Sequence, residues 1–458
     1  MKILNVINKY NGSIIDSISL NETFEVLDKI EKSNKSFHEF KNSNIKTRVS
    51  LLEQMHDSLK SIKNELAEII MKEAGKPISY ARLEIERCLF TLKLAATESE
   101  YHKILSKTED ILTIDSSPQK TELRRFPRGP VLGLVPFNFP LNLAMHKIAP
   151  AIISGCSIVI KPNLLTPLSL LRLLKEWNTF LPKDLIQVAL CDDENAQILV
   201  ESDKFTNLSF TGSAKVGWKL KSLAGKKKVT LELGGDAALI IDQGYDWKSQ
   251  LEQIISGSFL YSGQICISTQ RIFIHDSMYE EFLKYFIQAT KKIISGDPSQ
   301  EDCVVGPIIS KEHLERIDEW VLDAKQKGAQ VHTGGKILST EHSIYAPTIL
   351  TNVGEGMILN VEEAFAPLVC LFAFKDFENV IEQVNKSKYG LQSGLMTNKQ
   401  ENIQKAFDLL EVGGLILNRV PGFRVDSMPY GGIKESGLGR EGIRFAIDDF
   451  TEPKLLVF

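Results

Sequence analysis

Val131-Leu132-Gly133-Leu134-Val135-Pro136-Phe137-Asn138-Phe139-Pro140 reads as a short apolar strand that runs into a loop of aromatics and prolines around one asparagine. Further short apolar runs follow at 157–160, 185–189 and 207–210, with helix-length segments between them. That alternation predicts a parallel sheet with helices on both faces. Such sheets bind their ligands beyond the carboxyl ends of the strands. Asn138, Lys161 and the run Phe210-Thr211-Gly212-Ser213 each fall just past a predicted strand.

Upstream, residues 1–20 suggest a paired segment turning at Asn11-Gly12, and 21–96 is helical in pattern. Leu51, Leu52, Met55, Leu59 and Ile62 recur at helical spacing, and Gly75-Lys76-Pro77 breaks the run before a second helix over 80–97. Residues 108–128 alternate polar and apolar, as a hairpin does. Downstream, 235–424 is a second α/β segment with strands over 271–275 and 368–374 and helices near 278–294, 311–327 and 377–386. The end, 429–458, is glycine-rich and closes on a strand over 454–458.

A chain of 458 residues suggests two or three domains. A hydrophobic content of 43% with 24% charged residues indicates a folded globular protein rather than a disordered one. The net charge of −4 gives no reason to expect nucleic acid or an anionic membrane as partner. Lys226-Lys227-Lys228 reads as a solvated turn before a strand. The cysteines at 88, 156, 191, 266, 303 and 370 form no CxxC pair, which argues against a metal site or a disulfide framework. They fit a reducing, cytoplasmic compartment. Neither a signal peptide nor a membrane span is expected.

The chemistry centres on Tyr261-Ser262-Gly263-Gln264-Ile265-Cys266-Ile267-Ser268, which places a cysteine in a short loop before a strand. A thiol there is either a nucleophile, activated where nearby dipoles favour the thiolate, or a space-filling core residue. Upstream, Val229-Thr230-Leu231-Glu232-Leu233-Gly234-Gly235 ends an apolar strand with a carboxylate and two glycines. Glu232, Cys266 34 residues later, and Asn138 in its aromatic loop together resemble the aldehyde dehydrogenase superfamily, from about Phe126 to Val457 and more weakly before.

The resemblance implies an α/β fold with a Rossmann-type cofactor domain, an α/β catalytic domain and a small oligomerisation hairpin. Residues 1–107 and 128–234 would bind cofactor, 235–428 would carry catalysis, and 108–127 with 445–458 would make the contacts of a homodimer or homotetramer. It implies NAD(P)-dependent oxidation of an aldehyde through a thiohemiacetal and a thioester on Cys266. Asn138 and the Cys266 N–H would hold the oxyanion, and Glu232 would be the base for hydrolysis. Relatives that pass the acyl group to coenzyme A typically lack that base. Taken singly, Glu232 is equally readable as a cap beside Gly234-Gly235, and Asn138 as a turn residue.

A GxGxxG at Gly437, Gly439 and Gly442 has the wrong context for a dinucleotide loop, since it follows no strand and only 16 residues remain after it. Thr211-Gly212-Ser213, opening a helix over 215–223, is the better phosphate site, although Ser213 also reads as an N-cap. By resemblance Pro136, Phe137, Lys161, Gly212, Ser213 and Leu233 line the cofactor site. Glu363 would hold the nicotinamide ribose and Phe365 would pack near the ring; otherwise Glu362-Glu363 is a solvated charge pair. The family's E-x-F-G-P loop has Ala366 in place of glycine. Leu164 stands where NAD-preferring relatives often carry a glutamate, so NAD is expected with NADP allowed.

The loop Phe423-Arg424-Val425-Asp426-Ser427-Met428-Pro429 looks like that of members acting on small polar aldehydes. Arg424 either binds a polar tail or pairs with Asp426 or Glu435. Phe139, Asn142, His146, Ile265 and Ile267 are expected around the substrate, with Arg87 in support. The apolar Ile265 beside Cys266 favours a short hydroxyaldehyde such as lactaldehyde. Anionic aldehydes (phosphonoacetaldehyde, succinic semialdehyde or glyceraldehyde 3-phosphate) and a catalytically silent homologue are the alternatives.

Overall fold

In the computed structural model, which describes residues 2–98, 107–112 and 118–458, two open α/β sheets carry most of the chain. The first sets Lys228–Glu232, Asn207–Thr211, Val131–Leu134, Ile158–Lys161 and Ile186–Val188 side by side, all parallel. Gly437–Leu438 adds an antiparallel edge next to Lys228–Glu232. Val131–Leu134 is buried on both faces, so it reads as a continuous apolar run. From it the chain builds one side of the sheet and then returns to build the other. Strand order reverses between Val131–Leu134 and Asn207–Thr211, and the crevice opens beyond their carboxyl ends, at Val135-Pro136 and Gly212-Ser213.

The long helical stretch of the amino-terminal half is four helices, Thr23–Phe40, Ile45–Ser61, Lys63–Ala74 and Ile78–Thr97, after a hairpin of Ile3–Ile7 and Ile14–Ser19. Gly75, at φ 66°, ends the third where a side chain would be strained. Between these helices and the sheet lies Asn142–Ser154, every residue of which is buried.

The second sheet has its own cores. Ala238–Ile241 is central, with Arg271–His275, Leu368–Phe374 and Thr348–Thr351 on one side and Gln392–Met396 and Gly414–Leu417 on the other, all parallel. Gln330–Thr333 closes one edge antiparallel. A third, three-stranded sheet pairs Thr451–Val457 with Pro118–Pro127, and that strand with Lys107–Leu112. The expected hairpin is thus present in its strands; its tip lies outside the described residues. The expected segment 445–458 divides differently. Helix Ile443–Phe450 places Ile443, Ile447 and Phe450 in the first core against Asn142–Ser154, and only from Thr451 does the chain join the small sheet. Among the described residues no helix is long and apolar enough to cross a membrane.

Candidate active site

The carboxyl end of the first sheet meets the amino end of the second. The link is Leu233–Ala237, and its two glycines allow the approach. A β-carbon on Gly234 would fall 2.2 Å from Glu363 Oε2, and one on Gly235 would fall 2.9 Å from the Cys266 carbonyl. Glu363 Oε1 accepts the Gly235 N–H at 3.0 Å. Glu362 turns away to Lys388 and Tyr389, so the two glutamates are not a solvated pair. Burial pushes the Glu363 carboxyl up to about 8, although the Gly235 N–H favours its charge.

Cys266 follows a tight left-handed turn. Tyr261, Ser262 and Gly263 have φ of 49°, 57° and 67°, and the first two lack glycine's freedom. Tethers hold the strain. Tyr261 Oη donates to Ala74 O at 3.0 Å, Ser262 Oγ to Gly306 O at 2.8 Å, and Gln264 Nε2 to Pro307 O at 3.2 Å. A β-carbon on Gly263 would sit 2.0 Å from Ala366 O, so this position must be glycine. Among the described residues the N–H groups of Ile265, Cys266 and Ile267 have no acceptor. Cys266 is part-buried, whereas the other five cysteines are buried. Its Sγ lies 3.0 Å from Tyr430 Oη. Burial pushes the thiol up to about 12 against the Tyr430 hydroxyl bond and Arg424. The free enzyme therefore holds a thiol; the thiolate that the loop was expected to favour is disfavoured by desolvation.

Asn138 Nδ2 donates to Gln264 O at 2.9 Å, which places its amide beside the cysteine loop with one N–H left over. Glu232 is 3% exposed, and neither carboxyl oxygen has a hydrogen-bond partner. Burial, then the nearby Glu441, raises its pKa well above the ordinary value. It is therefore not a cap. A β-carbon on Gly431 would fall 2.8 Å from Glu232 Oε1, and Gly437 packs its backbone on Leu231. The glycine-rich end of the chain thus walls this carboxyl and carries Tyr430 to the thiol.

Two residues of this cluster escaped sequence reasoning. Lys147, wholly buried, donates to Ser209 Oγ at 3.0 Å, Thr211 Oγ1 at 2.9 Å and Glu441 Oε1 at 2.8 Å. Glu441 lies in the misplaced GxGxxG; despite burial, Lys147, His146 and Arg424 hold its carboxyl below the ordinary value. The available signal was the one charged residue of a largely apolar helix, which must be paired to be buried.

Arg424 pairs with neither Asp426 nor Glu435. Its Nη2 lies 3.4 Å from Glu441 Oε2 and its guanidinium 3.8 Å from the centre of the Tyr430 ring. Asp426 instead takes Arg87 through bonds of 2.5 and 3.1 Å, His146 Nε2 at 2.9 Å and Asn142 Nδ2 at 3.5 Å. His146 is thus spent on Asp426, and burial lowers its pKa. Ile267 is buried and packs with Leu391 and Tyr430, against which Ile265 and Cys266 also lie. Phe139 and Ile265 remain part-buried at the site.

Ser213 occupies the N-cap of helix Ala214–Leu223 but makes no capping hydrogen bond with its side chain. The N–H groups of Ser213, Ala214, Lys215 and Val216 have no acceptor among the described residues, and Lys161 has no partner there either. Phe137 meets Phe365 edge-on at 5.8 Å, and the Phe365 carbonyl contacts His313 Nε2 at 3.0 Å. Helix Ala214–Leu223 packs through Gly217 against Leu233. Unspent donors beyond the switch point suit a dinucleotide phosphate.

The sequence profile of the aldehyde dehydrogenase family matches residues 1–456. The chain belongs to that family. It is 39% identical over 416 residues to the 3-sulfolactaldehyde dehydrogenase of Priestia megaterium, covering 90% of this chain and 86% of that protein. It is 36% identical over 460 residues to the lactaldehyde dehydrogenase of Methanocaldococcus jannaschii, covering 99% and 97%. Among solved structures, aldehyde dehydrogenase 21 of Physcomitrella patens, in complex with the reaction product succinate, superposes with a TM-score of 0.96 at 37% identity, over 100% of this chain and 95% of that one. The glyceraldehyde-3-phosphate dehydrogenase GapN of M. jannaschii, complexed with NADP, gives 0.94 at 36%, over 99% and 98%. The protein is an aldehyde dehydrogenase, oxidising an aldehyde to its acid with a nicotinamide cofactor.

Proposed function

We propose that this aldehyde dehydrogenase oxidises a short hydroxyaldehyde such as lactaldehyde to the carboxylic acid. One observation carries the choice of substrate: the two arginines nearest the pocket each already face a carboxylate, Arg424 that of Glu441 and Arg87 that of Asp426. With the apolar Ile265 beside the thiol, neither arginine stands free of a carboxylate for a phosphate or sulfonate, while Arg87, still part-exposed beside Phe139, can hydrogen-bond a hydroxyl. The lactaldehyde dehydrogenase names of several relatives support the same reading. An anionic aldehyde is the second reading; the 3-sulfolactaldehyde dehydrogenase relative favours it, and so does the exposed edge of Arg87.

Cys266 is the nucleophile. The S–H proton leaves to a water at the site as the sulfur adds to the carbonyl carbon and the C=O π bond opens, and the oxyanion so formed is met by the Cys266 N–H and the second N–H of Asn138. What the nicotinamide supplies when bound is a hydride acceptor, which allows the thiohemiacetal to become a thioester. Glu232, once ionised, takes a proton from the water that hydrolyses it, and its raised pKa brings it nearer the working pH. This base favours a free acid over transfer to coenzyme A. Lys161, Gly212, Ser213, Pro136, Phe137, Leu233, Glu363 and Phe365 form the cofactor site. With Leu164 in place of a carboxylate, nothing repels a 2′-phosphate, so NADP is accepted as well as NAD. The three-stranded sheet joins subunits of a cytoplasmic homodimer or homotetramer.

Reduction of NAD and NADP by lactaldehyde, glycolaldehyde, succinic semialdehyde and phosphonoacetaldehyde tests this directly. The highest kcat/KM is expected for lactaldehyde, and a clear preference for an anionic substrate overturns the assignment.

A further inference from the structure

One buried ammonium lies between the two loops of the site. Lys76, 1% exposed, sits 3.7 Å from the centre of the Phe139 ring and 4.8 Å from that of Tyr261. Phe139 adjoins Asn138 in sequence, and Tyr261 opens the left-handed turn before Cys266. The counter-ion of Lys76 is Glu84, also 1% exposed. Through its other oxygen Glu84 accepts the N–H groups of Leu141 and Asn142 at 3.0 and 3.1 Å, where helix Asn142–Ser154 starts directly after the Asn138 loop. Tyr261 Oη reaches the Ala74 carbonyl, two residues before Lys76. A buried ion pair adds little stability over apolar residues of the same shape. The consequence of this one is geometric, because it touches both loops.

We infer that Lys76 and Glu84 are positioning residues that fix the Asn138 loop against the Cys266 loop, and so set the distance between the oxyanion donor and the sulfur. The inference rests on the proposed roles of Cys266 and Asn138. Neither side chain reaches substrate; each acts through the rings and N–H groups it holds. Misplacement by a fraction of an ångström slows a positioned reaction.

The test is the charge-neutral double variant Lys76→Met/Glu84→Gln. It leaves no unpaired buried charge and keeps a carbonyl acceptor for Leu141 and Asn142. With lactaldehyde and NAD, kcat is expected to fall up to about a hundredfold, with an unchanged melting temperature. The rate of Cys266 alkylation by iodoacetamide, read on its peptide by mass spectrometry, is expected to fall too. Tyr261→Phe removes only the Ala74 tether and is expected to shift both readouts the same way by less, which keeps the test open should the double variant not fold. A folded variant with wild-type kcat and wild-type alkylation overturns the inference. So does a loss of kcat that merely follows a loss of melting temperature. Alkylation needs no turnover. If Cys266→Ala retained activity, the nucleophile assignment would fall while the alkylation rates still decided the clamp.

Discussion

The carboxyl ends of the two parallel sheets look alike in topology and differ in chemistry. Beyond the first, the N–H groups of Ser213 to Val216 and the Lys161 ammonium are unspent among the described residues. Beyond the second, Asp242 accepts Thr397 Oγ1, Asn402 Nδ2 and the Gln243 N–H at 2.7 Å each and Lys399 Nζ at 3.3 Å, while Asn418 Oδ1 takes the Thr397 N–H at 3.0 Å. The rule that open sheets bind ligands past their carboxyl ends names two crevices here. The accounting of polar groups selects one. The second sheet turns its opposite edge to the site, with Cys266 ahead of the amino end of Arg271–His275. Topology proposes positions for chemistry; unsatisfied donors and partnerless carboxyls decide among them.

The largest expected effect is at that junction. Cys266→Ala should fold normally and lose turnover by about four orders of magnitude or more, with cofactor still protecting the protein against thermal unfolding. Turnover that survives would place the reacting group elsewhere. Next is Glu232→Gln, expected to lower kcat by about a hundred- to ten-thousandfold and to leave an acyl adduct on Cys266 visible by mass spectrometry. This variant also has a pH signature. The folded-state pKa of Glu232 is raised by burial, so above its unfolded value of 4.5 the folded state retains a proton that the unfolded state has released. Wild-type stability therefore falls as pH rises through that window, and the glutamine variant should be spared. Melting curves of the two proteins should coincide near pH 4 and separate in favour of the variant toward pH 8. Curves that stay parallel would mean that Glu232 is ionised in the fold.

Much of the fold was legible because strands buried on both faces announce themselves as apolar runs, and Val131–Leu134 and Ile158–Lys161 are of that kind. Cys266, Glu232 and Asn138 came into view only together, through the resemblance of their three motifs to the family's; singly each was equally readable as a core, cap or turn residue. Lys147 and Glu441 were not, since their partnership spans 294 residues and neither lies in a motif that names the other. The same distance hid the partners of His146 and Arg424. Both lie near the site, but Asp426 draws Arg87 across 339 residues and takes His146 with it, which leaves Arg424 to Glu441. Periodicity reports which face is buried; it does not report which buried charges meet.

The smallest effects separate the two carboxyl ends most sharply. At the first, Ser213→Ala removes a hydroxyl that caps nothing, so the melting temperature should not change. If that hydroxyl serves the cofactor, KM for NAD should rise by about tenfold, the equivalent of one hydrogen bond to a charged group. At the second, Thr397→Val removes one of the bonds to Asp242 and should destabilise the fold by about 1 kcal/mol, leaving kcat and both KM values as they were. The contrast is in the crossed signs: binding without stability at one end, stability without binding at the other. Loss of stability in Ser213→Ala would mean that the free donors of the first sheet are part of its packing. A raised cofactor KM in Thr397→Val would mean that the second crevice is not closed, and the polar accounting that separates the two ends would have to be abandoned.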